Sequence, residues 1–172
     1  MKKLLRLILL FIAVLTAGCG YRVGSIMHPQ IKSIAIAPVS NETMLYNVSA
    51  QMRGILSEVF QTDGSLKLKS EGRADCILYA KITKAEFSQI TWENNTARNS
   101  DDFLPDQWRV KITAEIAVMI PGRAEPLIRP TDVSGSTTFV TGADMESSRR
   151  YAVRQACFAA AKKAVVLVTE SW

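Results

Sequence analysis

The sequence predicts an α+β fold, a two-layer sandwich in which a four- to five-stranded mixed sheet carries two helices packed on one face. Three observations lead there. Several stretches alternate apolar and polar residues with a period of two, and two others place apolar residues at helical spacing. In chain order these elements read strand, helix, three or four strands, helix. The folded part is a single domain over residues 31–172, preceded by an exported leader (1–18) and a short tether (19–30).

The first strand is IKSIAIAPV, Ile31 to Val39. It is β-rich and apolar on both faces, as a central strand covered on both sides would be. Pro38 ends it and SNET turns the chain. Val48, Met52, Ile55, Leu56, Val59 and Phe60 then recur at helical spacing, and Gly64 closes that helix. In SLKLKS, Leu66 and Leu68 point inward while Lys67 and Lys69 point outward, before EGRAD makes a loop. A long strand runs from Cys76 to about Trp92, with Cys76, Leu78, Ala80 and Ile82 opposite Ile77, Tyr79, Lys81 and Thr83. The polar ENNTARNSDDFLPD reads as a loop.

In QWRVKITAEIAVMI, Trp108, Val110, Ile112, Ala114, Ile116 and Val118 share one face, with Arg109, Lys111, Thr113 and Glu115 on the other. PGRAEPLIRP turns, and the Ser- and Thr-rich DVSGSTTFVTG supplies a last strand nearer an edge than the centre. The closing helix runs from about Asp144, its N-cap, nearly to Glu170. Its Ala152, Ala156, Ala160 and Ala164 form a stripe of small residues, which lets a helix backbone lie close on a sheet.

At the amino end, Lys2, Lys3 and Arg6 precede an uncharged apolar run from Leu7 to Leu15, the layout of a secretory signal peptide. That run is too short to span a bilayer, which needs about 20 apolar residues. Thr16, Ala17 and Gly18 supply the small side chains of a cleavage site directly before Cys19. This arrangement resembles the lipobox of bacterial lipoproteins, which makes Cys19 the lipidation site and first mature residue. The alternative is an ordinary signal peptide cut nearby. Because one acyl chain holds a protein only marginally, at about 0.8 kcal/mol per buried methylene, the multiple chains of such a modification are what anchor it.

Loss of residues 1–18 leaves 154 residues with 18 basic against 16 acidic, a net of +2. A nucleic-acid partner, which needs a dense basic footprint, is not expected. Cys76 and Cys157 could pair in an oxidising compartment, but one sits in a strand-like run and the other in a helical one, so two buried free thiols are expected. No CxxC, HExxH or glycine-rich phosphate loop occurs. The one histidine, His28, sits beside Pro29 in the tether, and Asp101 and Asp102 lie in a polar loop without apolar neighbours to raise a pKa. An enzyme is therefore not expected, nor a metal or other cofactor. The N-x-S/T triplets at Asn41, Asn47 and Asn94 are taken as chance.

Strand parity places Lys67, Lys69, Lys81, Arg109 and Lys111 on the sheet face away from the helices. Two readings stand for these cations. An exposed sheet face carries charge for solubility, while Lys and Arg together also suit a phosphate-bearing ligand.

CGYRVG at the mature terminus, SIAIAPVSNET at the first strand, Ala74-Asp75 opening a long strand and the alanine-rich closing helix together resemble the lipopolysaccharide-assembly lipoprotein family (LptE-like). Cys19, Gly20 and Tyr21 match its Cys-Gly-aromatic start, and Pro38, Asn41 and Thr43 its pattern after the first strand. The resemblance implies a lipid-anchored protein of the cell outer membrane, facing the periplasm, that plugs a large outer-membrane β-barrel, helps it assemble and assists delivery of lipopolysaccharide. Lipid A phosphates would then be the anions for Lys67, Lys69, Lys81, Arg109 and Lys111. SIAIAPVSNET also resembles lipoproteins with a TolB amino-terminal type of fold, which implies instead an activator of a periplasmic cell-wall synthase or a secretion-channel subunit.

Overall fold

Long strands with one apolar face cannot stand alone in water, and the structure covers that face with two helices. The computed structural model describes residues 31–90, 107–140 and 144–170. The strands are β1 (Ser33–Ile36), β2 (Ser40–Asn41), β3 (Lys67–Leu68), β4 (Cys76–Ile90), β5 (Gln107–Met119) and β6 (Ile128–Val140); the helices are α1 (Val48–Asp63) and α2 (Met145–Glu170). The sheet order is β3-β1-β4-β5-β6, with β2 pairing on β4 beyond the end of β1. This is the expected α+β sandwich with a mixed sheet. The two-residue β2 and β3 raise the strand number to six among the described residues.

β1 is buried along its whole length and runs parallel to both β3 and β4, with Ile34 beside Cys76 and Ile36 beside Leu78. The first two residues of SNET, expected as a turn, extend this parallel line as β2, where Ser40 meets Lys81 and Asn41 meets Ile82. β4, β5 and β6 form a long antiparallel meander, 15, 13 and 13 residues each. At about 3.4 Å per residue these strands are roughly 45 Å long.

The alternation holds through Ile82, and a register shift between Ile82 and Lys84 then inserts Thr83 as an extra residue. Beyond it the parity switches, so that Ala85 and Phe87 pack against the core while Lys84 and Glu86 face outward.

α1 buries Val48, Met52, Ile55, Leu56, Val59 and Phe60 and ends at Gly64, whose left-handed φ of 72° lets its N–H reach Phe60 O at 3.1 Å. α2 begins where Asp144 Oδ1 accepts the Ser147 N–H at 3.0 Å, the N-cap hydrogen bond. Its alanine stripe is fully buried, and the reason lies in β6: a Cβ placed on Gly135 would stand 2.1 Å from Ala156 O and 2.3 Å from Ala160 N. Strand and helix backbones therefore touch directly. The core between the layers is filled by Phe60, Ile34, Met52, Leu56, Leu78, Ile82, Ile112 and Ile116. No described helix is long and apolar enough to cross a membrane.

Candidate partner interface

The face of the sheet away from the helices is polar, and at its centre two lysines are matched by carboxylates of neighbouring strands. Lys81 Nζ lies 3.5 Å from Glu115 on the neighbouring strand and 3.4 Å from Glu42, just past β2. These carboxylates, Glu115 first and then Glu42, push the Lys81 ammonium above its usual range. Lys111 Nζ sits 3.8 Å from Glu86, its directly opposed cross-strand neighbour.

The five cations singled out by parity do fall outside the core, but not in one place. Lys67 of β3 pairs with Ser33 of β1 and so lies in the row of Asp75, with Lys69 beyond it. Arg109 pairs with Ser88 at the far end of β4. Twelve residues of β4, Cys76 to Phe87, lie between those rows, a span of roughly 40 Å. Lys81 lies between, held by its two carboxylates. The structure thus brings Arg109 and Lys111 together and keeps them apart from Lys67 and Lys69. Among the described residues Lys67, Lys69 and Arg109 form no ion pair.

A second feature, not read from the sequence, is the loop between β2 and α1. Asn41 Oδ1 accepts from the Thr43 N–H at 2.9 Å and the Thr43 hydroxyl at 2.7 Å, while its amide donates to Leu45 O at 2.9 Å. Asn47 closes the loop at φ 60°, a conformation asparagine tolerates better than most side chains. So held, the loop leaves Met44 and Tyr46 fully exposed. Clefts of 530 and 460 Å³ flank it, with Arg149 of α2 lining both. That guanidinium lies 3.0 Å from Glu146 and 6.0 Å over the Phe87 ring. The sequence signal for this loop was the Asn-x-Thr spacing, which allows a side-chain-to-backbone turn.

Asp75, part of the Ala-Asp pair, accepts the Ser33 hydroxyl at 2.8 Å and the Lys32 N–H at 3.0 Å. These bonds, the Ser33 one foremost, hold its carboxyl below the usual aspartate range. Cys76 and Cys157 are free and buried. Burial pushes both thiols up to about 12, so neither supplies a thiolate near neutral pH. Cys19, His28, Asn94, Asp101 and Asp102 lie outside the described residues.

No family model matches the chain, and no curated protein matches it in sequence. Solved structures do match. A minor lipoprotein from Acinetobacter baumannii aligns with a TM-score of 0.54 at 8% identity, covering 82% of this chain and 94% of that one. A hypothetical protein from Chlamydia trachomatis aligns at 0.52 with 13% identity, covering 81% and 96%. A protein from Xanthomonas campestris aligns at 0.50 with 11% identity, covering 86% and 90%. At such identities the likeness is one of fold. The chain shares its α+β sandwich with proteins that include a bacterial lipoprotein.

Proposed function

We propose that the chain is an outer-membrane lipoprotein, anchored through Cys19 and facing the periplasm, that plugs and helps assemble a large β-barrel and assists insertion of lipopolysaccharide into the outer leaflet. The observation that carries this reading is the open sheet face, a polar surface roughly 45 Å long on which Lys81 and Lys111 pair with carboxylates of neighbouring strands. A wide barrel has a polar lumen that must be filled if it is not to leak. A surface on which Lys81, Lys111, Glu42, Glu86 and Glu115 are already matched can enter such a lumen without stranding those ions.

Size agrees. Five strands in order span about 19 Å at 4.8 Å spacing, and a helical layer adds a thickness of about 10–12 Å. Such a cross-section fits only a large barrel, of the roughly 22-strand class whose lumen holds a plug. The Cys19 tether confines the search for the barrel to one membrane, which raises effective concentration. Within this reading Arg109 and Lys111, adjacent at one end of the face, are better placed to meet lipid A phosphates as a pair than the dispersed Lys67, Lys69 and Lys81.

The test is gentle extraction of the carboxyl-terminally tagged protein from membranes of its own host and identification of what remains bound in stoichiometric amount. One large outer-membrane barrel is the expected result. Recovery with a cell-wall synthase, or as a ring of itself, would refute the plug and favour the TolB-type reading.

A further inference from the structure

β6 is an edge strand, and its two halves are built differently. The first half carries Arg129, Pro130 and Asp132, residues that discourage pairing with another chain. The second half, Val133 to Val140, reads VSGSTTFV and has no charge and no proline. Among the described residues no strand lies on its outer side. A long uncharged edge rich in Thr, Val and Phe is a template for one more strand.

The charges around it say what that strand carries. Across the sheet runs a row of Ser40, Lys81, Glu115 and Asp132, with Glu42, just past β2, reaching Lys81 from the side. Asp132 stands directly opposite Glu115, so two like charges adjoin, and Lys81 is already shared between Glu42 and Glu115. Asp132 forms no ion pair among the described residues. Like charges in opposed positions destabilise a sheet, and a cation on the next strand in this row would relieve them.

The geometry points to β-augmentation: the free edge of β6 receives an extended segment of another protein, with a Lys or Arg beside Asp132 and uncharged residues along Val133–Val140. A second copy of this chain fits poorly. α2 lies over β6, since the Cβ direction of Gly135 runs into the backbone of Ala156 and Ala160. Antiparallel β6–β6 pairing about a two-fold axis would set two such helices about one strand spacing apart, roughly 5 Å, whereas packed helices need 8–10 Å. Parallel pairing about an axis along the strand would align the polar face of one copy with the helix-covered face of the other. The partner is therefore a segment with no helix of its own over that face. This inference does not depend on the barrel reading.

The test uses the full-length lipidated protein in its own membranes, with a photo-crosslinking amino acid at Ser136 or Thr138, both exposed on β6, and at Gln61 as control. The expected result is one adduct from the β6 positions, mapped by mass spectrometry to an extended partner segment containing Lys or Arg. Asp132→Lys lowers its yield at least tenfold with a urea midpoint no lower than the parent's, since it also removes the like-charge pair with Glu115, and reversing the partner's basic residue restores the yield. Adducts only within the chain, only to a second copy, or only to a helical surface would overturn the inference. So would no adduct, or a yield indifferent to Asp132→Lys. A mapped segment on a protein that is not a barrel supports the edge and refutes the plug. A bound barrel without an adduct does the reverse.

Discussion

Gly135→Ala is the substitution that tests the packing of the sandwich most directly. The added methyl would lie 2.1 Å from Ala156 O, 2.3 Å from Ala160 N and 2.9 Å from Ala159 C, all backbone atoms of α2. Ordinary carbon contacts are about 3.5–4.0 Å, so the helix must retreat by more than 1 Å along the β6 seam. A gap of that size forfeits a quarter to a half of each contact's attraction, and overpacking strain of this kind costs about 1–3 kcal/mol, occasionally more. Relief of the entropic cost of glycine in a strand returns only about 0.5–1 kcal/mol. A net loss of about 2 kcal/mol is expected, which lowers the melting temperature of a domain this size by roughly 4–8 °C. The assay is urea and thermal unfolding of the mature chain carrying Cys19→Ser. Because the clash is with backbone, adding Ala156→Gly does not restore stability. A Gly135→Ala chain within 0.5 kcal/mol of the parent, or one rescued by Ala156→Gly, would refute the claim that the two backbones touch.

The other predictions use the same unfolding assays or simple chemistry. Gly64→Ala forces a β-carbon into the left-handed φ of 72° at the end of α1 and costs about 1 kcal/mol, whereas Gly54→Ala, with open space around it on an exposed helical position, raises stability by about 0.5–1 kcal/mol. Asp75→Asn lowers stability at neutral pH; since the native carboxyl titrates below its unfolded value, the parent's advantage is present above the ordinary aspartate pKa and fades as pH falls through the lower native one. Lys111→Glu places a carboxylate opposite Glu86 and costs up to about 1 kcal/mol at low salt, less at high salt. Under native conditions at pH 8 neither Cys76 nor Cys157 reacts with a thiol reagent within minutes, and both react once urea unfolds the chain, the protonated and buried state of each thiol being the cause.

Side-chain parity and helical spacing were legible because each follows from a local period that burial on one side imposes. Thus Cys76, Leu78, Ala80 and Ile82 and the row from Val110 to Val118 point inward as read, and the alanine stripe lies against the sheet. What the period could not carry is where one strand stops against another. The extra residue at Thr83 turns Ala85 and Phe87 inward, and its local trace in KITKAEF is the switch of apolar phase, since unbroken parity would have set Lys84 and Glu86 against the core. Register is also what scatters Lys67, Lys69, Lys81, Arg109 and Lys111: parity told which face they share, but not that roughly 40 Å divides the first from Arg109, nor that Glu42, Glu86 and Glu115 stand beside Lys81 and Lys111. Gly135 shows the same limit from the other side. Its partner residues are more than 20 positions along the chain, so the stripe that needs a glycine and the glycine that receives it had no common local signal. Yet that contact places α2 over the edge strand, and the same contact decides which kind of chain can pair there. The interface on this protein is thus set by tertiary register acting on faces that local periodicity had already assigned.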